Sequence, residues 1–299
     1  MAHLWTLILG AALGTGLLAT APAHAQPMTP EQQGLYLIDR TGATRMLTQR
    51  LLRRSCYIAV QADIADAVAI DGDLATFDET LTMVMDGDEA LGIPATRAPR
   101  VQRRAKMAKD TFMAYSGFAK FATRGDMPMA YLNAMADARV EMLATEEALV
   151  KSVVRTFGLG RLDPFTTETV NAIAKLRMLA NLIAVEHCLL AAGANGASEE
   201  ALYGALQAFE TQLQLTRRGD DARRVLAPSA ELDAMLVCTQ DRLAAVRAII
   251  GQNEISAATV IRLRPATSEL ERAADDALHI IERELAGLSL GMSSNCGQS

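Results

Sequence analysis

A chain of 299 residues with a formal charge of −6 has room for about two domains, and with no basic stripe it offers no nucleic-acid surface. Half of its residues are apolar, enough for real cores. Aromatics make up only 4%, and the weight of Ala, Leu and Met favours packed helices over sheets.

The first segment, Leu4 to Ala21, is an apolar run followed by Ala23-His24-Ala25. A small-residue site after a short apolar core reads as a secretory signal peptide covering residues 1–25, although no Lys or Arg precedes the run; an uncleaved membrane anchor is the competing reading. No later stretch reaches the ~18–20 uninterrupted apolar residues that a spanning helix needs. The expected mature protein is periplasmic and does not span the membrane.

After residue 26 the pattern is helical almost throughout, with Pro30-Glu31 as the first helix start. The first helix is expected to run to about Ala65 and the second from about Asp73 to Met85, stopping at Gly87. A third covers about Arg100 to Thr123. A fourth runs from about Met129 to Phe157 and ends at Gly158-Leu159-Gly160. Asp163-Pro164 then opens a long helix to about Ala192, followed by helices at about Ser198 to Arg218, Ser229 to Ile250 and Ala257 to Leu285. Pro265 is expected to kink or delay the last of these. The polar tail, residues 291–299, is expected to be disordered.

Two stretches of this chain are versions of one another. Asp39 to Arg50 reads Asp-Arg-Thr-Gly-Ala-Thr-Arg-Met-Leu-Thr-Gln-Arg, and Asn171 to Leu182 repeats Arg-Met-Leu at an offset of 132, from Arg45 to Arg177. The same offset pairs Cys56 with Cys188, Phe77 with Phe209, Leu81 with Leu213 and Gly87-Asp88 with Gly219-Asp220. One register held across such different residue types marks an internal duplication. The expected fold is therefore all-α, a tandem pair of four-helix up-and-down bundles over residues 26–160 and 161–290, related by a pseudo-two-fold axis.

On a helix Arg45, Gln49 and Cys56 share a face, as do Arg177, Asn181 and Cys188. Gly42 and Ala174, each three residues earlier, are small enough for a second helix to approach closely. If the two long helices pack across the axis, Arg45 and Arg177 face each other. Guanidinium groups about 5 Å apart repel by roughly 3 kcal/mol at an effective dielectric near 20. A small planar anion between them reverses the sign. The competing reading is that each arginine reaches solvent or pairs with a carboxylate such as Asp39 or Glu186.

Gly42-x-x-Arg45-Met46-Leu47-Thr48-Gln49-Arg50, with Asp39 three residues before the glycine, resembles the signature of the PilJ-type domain. That is the N-terminal sensor domain of type IV pili methyl-accepting chemotaxis transducers. The stretch is also similar to the ligand-binding box of periplasmic nitrate/nitrite sensor kinase domains. The resemblance implies a periplasmic four-helix bundle, usually dimeric, that holds nitrate, nitrite or a similar small inorganic anion between two first helices. It implies Arg45 and Arg177 as anion ligands, with Gly42 and Ala174 lining the pocket. Gln49 and Asn181, one turn on from the arginines on the same helix face, are the candidate secondary donors. A basic residue that some nitrate sensors carry maps to Arg40, where the second stretch has Ala172. In that second stretch Ala174 replaces the glycine and Asn181-Leu182 replaces Gln-Arg, which implies an asymmetric pocket. A membrane-bound receptor or kinase would be the partner.

Cys56 and Cys188 are open to two readings, an inter-repeat disulfide or two small buried residues. Cys238 has no counterpart in the first half and Cys296 lies in the tail, and a pairing between those two is left open. The methionines read as core. Glu146-Glu147 and Asp275-Asp276 read as solvated helix faces, and no metal-ligand spacing, cofactor motif or catalytic motif is present. The function expected is an exported, non-catalytic anion-binding sensory or accessory protein. The alternative is a structural docking protein for a chemoreceptor, kinase or pilus component.

Overall fold

Five helices start on a side-chain cap that satisfies backbone N–H groups which would otherwise lack a partner. Thr29 and Ser256 form reciprocal capping boxes with Gln32 and Thr259, while Asp163, Ser198 and Ser229 each accept from a backbone N–H three residues on. The computed structural model describes residues 28–62, 65–158, 162–252, 254–287 and Cys296. The expected signal peptide, the glycine break at 159–160 and all of the tail except Cys296 lie outside the described residues.

The architecture is an all-α bundle: α1 Pro30–Ala59, α2 Asp66–Asp86, α3 Pro99–Ala122, α4 Met129–Gly158, α5 Pro164–Ala192, α6 Glu199–Arg218, α7 Ala230–Gly251 and α8 Ala257–Ala286. α1 and α5 pack most extensively, against each other. α1 carries α2 and α4 on its flanks, α5 carries α6 and α8, and α3 and α7 close the two sets against α4 and α8. One buried apolar cluster runs through both sets, from Leu47 and Phe77 to Ile173 and Phe209. Two disulfides are present, Cys56–Cys188 between α1 and α5 and Cys238–Cys296.

Three expectations need correction. α1 ends at Ala59, because Gln61 takes a left-handed conformation (φ 56°) and the Ala62 N–H returns to the Tyr57 carbonyl. This is a glycine-type stop without a glycine. α2 begins at Asp66, before Gly72 rather than after it. Arg54 of α1 grips both Asp66 (2.6 Å) and Asp73 (2.8 Å), and Gly72 faces open space. α8 already begins at Ala257 and runs on through Pro265, so that residue does not delay it. That proline lies on the exposed side of the helix, one turn after the half-exposed Ile261, to whose carbonyl it has no N–H to donate.

The Gly-Asp pairs build the same turn twice. Gly87 (φ 82°) and Gly219 (φ 67°) end α2 and α6, and a Cβ on them would lie 2.4 Å from the Ile93 carbonyl and 2.7 Å from the Ala227 nitrogen. Only glycine fits there. Asp88 then accepts from the Leu91 N–H at 3.1 Å and Asp220 from the Arg223 N–H at 2.9 Å. Asp88 pairs antiparallel with Ile93, and Asp220 with Val225.

Candidate functional site

The two repeated arginines sit on the facing sides of α1 and α5, and each makes one bond inside its own set of helices and one across. Arg45 Nη1 donates to Glu147 on α4 at 2.6 Å, and its Nη2 crosses to Asn171 Oδ1 on α5 at 2.9 Å. Arg177 Nη1 donates to Asp275 on α8 at 2.8 Å, and its Nη2 crosses to Asp39 on α1. Asp39 and Asn171 are themselves separated by the repeat offset. Each arginine therefore binds the residue that opens the other stretch. Each guanidinium group is met by protein oxygens from both sets of helices.

Burial decides how much these bonds matter. The Arg45 and Arg177 side chains are 3% and 7% exposed, Asp39 is 12% exposed, and Glu147 and Asp275 are each 33% exposed. A buried guanidinium without a partner is very unfavourable, and charge-assisted bonds in this setting are about twice as strong as neutral ones. Burial opposes the charge on Arg177, but Asp39 and Asp275 outweigh it and raise its pKa. Glu147 goes the other way. Burial opposes its charge, yet Arg45, Lys175 and Lys151 hold its carboxyl below the usual range.

Two carboxyls beside this frame are pushed up by burial. Glu146 accepts from the Thr48 hydroxyl at 2.6 Å and has a pKa of about 8, because that bond and the nearby Arg45 offset the burial only in part. Glu282 is raised to about 9 by burial and by the negative charge of Asp39, against the pull of Arg177. Both are protonated at neutral pH.

The remaining expected site residues divide. Gly42 and Ala174 meet where α1 and α5 come close: a Cβ on Gly42 would stand 3.9 Å from the Ala174 Cβ and 3.5 Å from Arg45 Nη2. Those are ordinary contacts, so glycine is not demanded there. Gln49 is fully buried, and neither of its amide atoms has a hydrogen-bond partner among the described residues. Asn181 donates to the Arg177 carbonyl at 3.0 Å. Arg40 lies over the Tyr36 ring, 5.0 Å from its centroid, and acts on Glu282 beside the Arg177 pair.

The reading of Glu146-Glu147 and Asp275-Asp276 as solvated faces is overturned. Glu146 and Asp276 are fully buried, and Glu147 and Asp275 are the arginine partners. Spacing could not reveal this, since the partners lie 102 and 98 residues from their arginines. The methionine reading holds for Met135 and Met142, whereas Met107 and Met113 are exposed. Sequence reasoning also missed two further bridges between the helix sets. Glu271 of α8 binds Arg50 at 2.7 Å and Arg53 at 2.8 Å, and Arg139 of α4 binds Glu186 of α5 at 2.7 Å. Burial opposes the charge on Glu271, but Arg50 and Arg53 keep its carboxyl far below the normal range.

Among the described residues no group of three or more His, Cys, Asp or Glu side chains could hold a metal ion, and no helix is long and apolar enough to cross a membrane. Residues 166–275, from the first turn of α5 to Asp275, match the family model described as the type IV pili methyl-accepting chemotaxis transducer N-terminal domain, PilJ. The match takes in Arg177 and Asp275 and relates that part of the chain to a sensory, signalling class of domain. Comparison with curated proteins and with solved structures returned no match.

Proposed function

We propose that this chain is an exported, non-catalytic sensory or accessory module of a chemotaxis-type signalling system. It consists of two PilJ-like units, fused in tandem and related by a pseudo-two-fold axis. Arg45 and Arg177 clamp the first helices of the two units together, and the module acts with a membrane-bound receptor or kinase. The carrying observation is the reciprocal bonding: Arg45 to Asn171 and Arg177 to Asp39, each arginine also holding a carboxylate of its own fourth helix. That exchange is what an isologous contact between two like units produces. The family match over the second unit and the duplicated Gly-Asp turn support the same reading.

Within the clamp both arginines already have partners, so neither is left for an anion to neutralise. A nitrate or nitrite ion would have to displace Asp39, Asn171, Glu147 or Asp275 from an arginine. Thermal unfolding of the chain against nitrate, nitrite and chloride at matched ionic strength is the test. No anion-specific rise is expected, and Arg45→Ala and Arg177→Ala should each lower Tm without any added anion.

One observation favours a second reading, in which a small anion binds between the units at Arg45, Arg177, Gln49 and Asn181. Gln49 is buried one turn from Arg45 with both amide atoms unpartnered among the described residues, as a site awaiting a small polar ligand would be. A nitrate- or nitrite-specific rise in Tm that disappears in both arginine variants would establish this second reading in place of the clamp.

A further inference from the structure

A cleft of about 510 Å³ opens between α4 and α5 on the Arg45 side, with Glu147 and Asn171 on its wall. Small-molecule sites span about 300–1,000 Å³. In a chain of net charge −6 this cleft is lined by Arg100, Lys151, Arg155, Lys175 and Arg224, against two glutamates, Glu147 and Glu168. Lys151 sits 3.4 Å from Glu147. Lys175 also acts on Glu147 from a greater distance, while Arg100, Arg155 and Arg224 make no ion pair among the described residues.

The matching positions on the Arg177 side show that this charge is specific to one side. Arg155 and Arg283 occupy the same place in α4 and α8, and Arg100 and Glu231 are each the second residue of α3 and α7. Arg283 binds Glu231 at 2.5 Å, whereas on the cleft side both positions are arginine. At the repeat offset Lys175 corresponds to Ala43, and Arg224 to Gly92. Gly92 and Arg224 both have left-handed backbones, at φ 69° and φ 58°. Glycine adopts that conformation freely, while another residue is disfavoured by roughly 1–2 kcal/mol. The second turn thus keeps a strained arginine where the first has an unstrained glycine, and that arginine lines the cleft.

From these placements we propose that the cleft is a binding site for a small organic polyanion with two or more carboxylate or phosphate groups. Five cations against two glutamates leave three positive charges around one cavity, more than a single-charge ion can neutralise. The left-handed Arg224 has its strain offset when its guanidinium meets an anionic group. The site lies to one side of the α1–α5 clamp and does not require its arginines.

Isothermal titration calorimetry of citrate and of inorganic pyrophosphate into the full chain, at ionic strength fixed with chloride, tests this and separates carboxylate from phosphate recognition. One saturable site for at least one probe is expected. Arg224→Gly and Arg100→Glu should each weaken it by about tenfold or more, the loss expected for one charged contact. Arg247→Ala, which breaks an exposed pair with Glu210, should leave it unchanged. Arg224→Gly preserves the fold because Gly92 already takes that conformation in the matching turn, so lost binding at unchanged Tm reports the cleft itself. The proposal is overturned if neither probe binds, or if the Arg224 and Arg100 variants bind as tightly as wild type. It is equally overturned if a hexaglutamate peptide binds saturably while both small probes do not, which would make the cleft a peptide-docking surface.

Discussion

Arg45 and Arg177 occupy equivalent positions and live in different electrostatic surroundings. Arg177 is held by two carboxylates, Asp39 and Asp275, with the protonated Glu282 close by. Arg45 has one carboxylate and one neutral amide, and its carboxylate partner already answers to Lys151 and Lys175 at the edge of a basic cleft. The helices and the crossed bonding are shared, while single substitutions at matching positions, Asp39 against Asn171 and Gly92 against Arg224, set the local charge. On the proposed reading of two fused like units, the crossed bonds are kept while one side turns acidic and the other basic.

The largest expected effect concerns what keeps both arginines in reach of their partners. Cys56–Cys188 ties α1 to α5 across a separation of 132 residues, and its loss should lower stability by about 4–5 kcal/mol in the chain-entropy model. Denaturant unfolding of Cys56→Ser/Cys188→Ser checks this; an unchanged midpoint would show that packing alone holds the helices. Next, Arg177→Ala should destabilise by about 3–5 kcal/mol, because it strands two carboxylates around a buried site. Arg45→Ala should lose only about 1–2 kcal/mol, since Glu147 is partly exposed and keeps its lysines. Equal losses in the two variants would remove the asymmetry.

The protonated carboxyls give a pH dependence of known sign. Glu146 and Glu282 have folded pKa values of about 8 and 9, above the ordinary 4.5. Between those limits the folded state binds more protons than the unfolded one, so stability falls as pH rises, by at most about 1.4 kcal/mol per pH unit for each group. His187 works in the opposite direction. Burial lowers it to about 4, so its contribution rises with pH from about 4 and is complete above its ordinary 6.5. The window from pH 6.5 to 8 therefore isolates the carboxyls, and Tm should decline there in wild type and decline less in Glu146→Gln. An identical slope in that variant would exclude Glu146 as a source. The smallest effect is expected for Arg224→Gly, whose relief of left-handed strain is largely offset by the greater freedom of glycine when unfolded; stability should stay within about 1 kcal/mol of wild type.

Much of this was legible in the chain itself. Capping residues at Thr29, Asp163, Ser198 and Ser229 and glycine stops at Gly87 and Gly219 mark the helix ends through local chemistry. The end of α1 was not legible, because Gln61 adopts the left-handed conformation that glycine usually signals. The paired arginines stood out through their register. Their partners did not, because Glu147 and Asp275 reach them through tertiary packing and in sequence resemble any acidic pair on a helix. The basic cleft was equally hidden: Arg100, Arg155 and Arg224 are scattered in sequence and converge only when α3, α4 and the turn after α6 meet α5.

The most direct test of the clamp is a double-mutant cycle on its crossing bond, with Asp39→Ala, Arg177→Ala and the double variant unfolded by denaturant at pH 7. A clamp predicts a coupling energy of at least about 1.5 kcal/mol, because each single variant leaves the other charge buried without its partner across the helices. Additive losses, with coupling indistinguishable from zero, would contradict it and show that Arg177 does not hold α5 to α1.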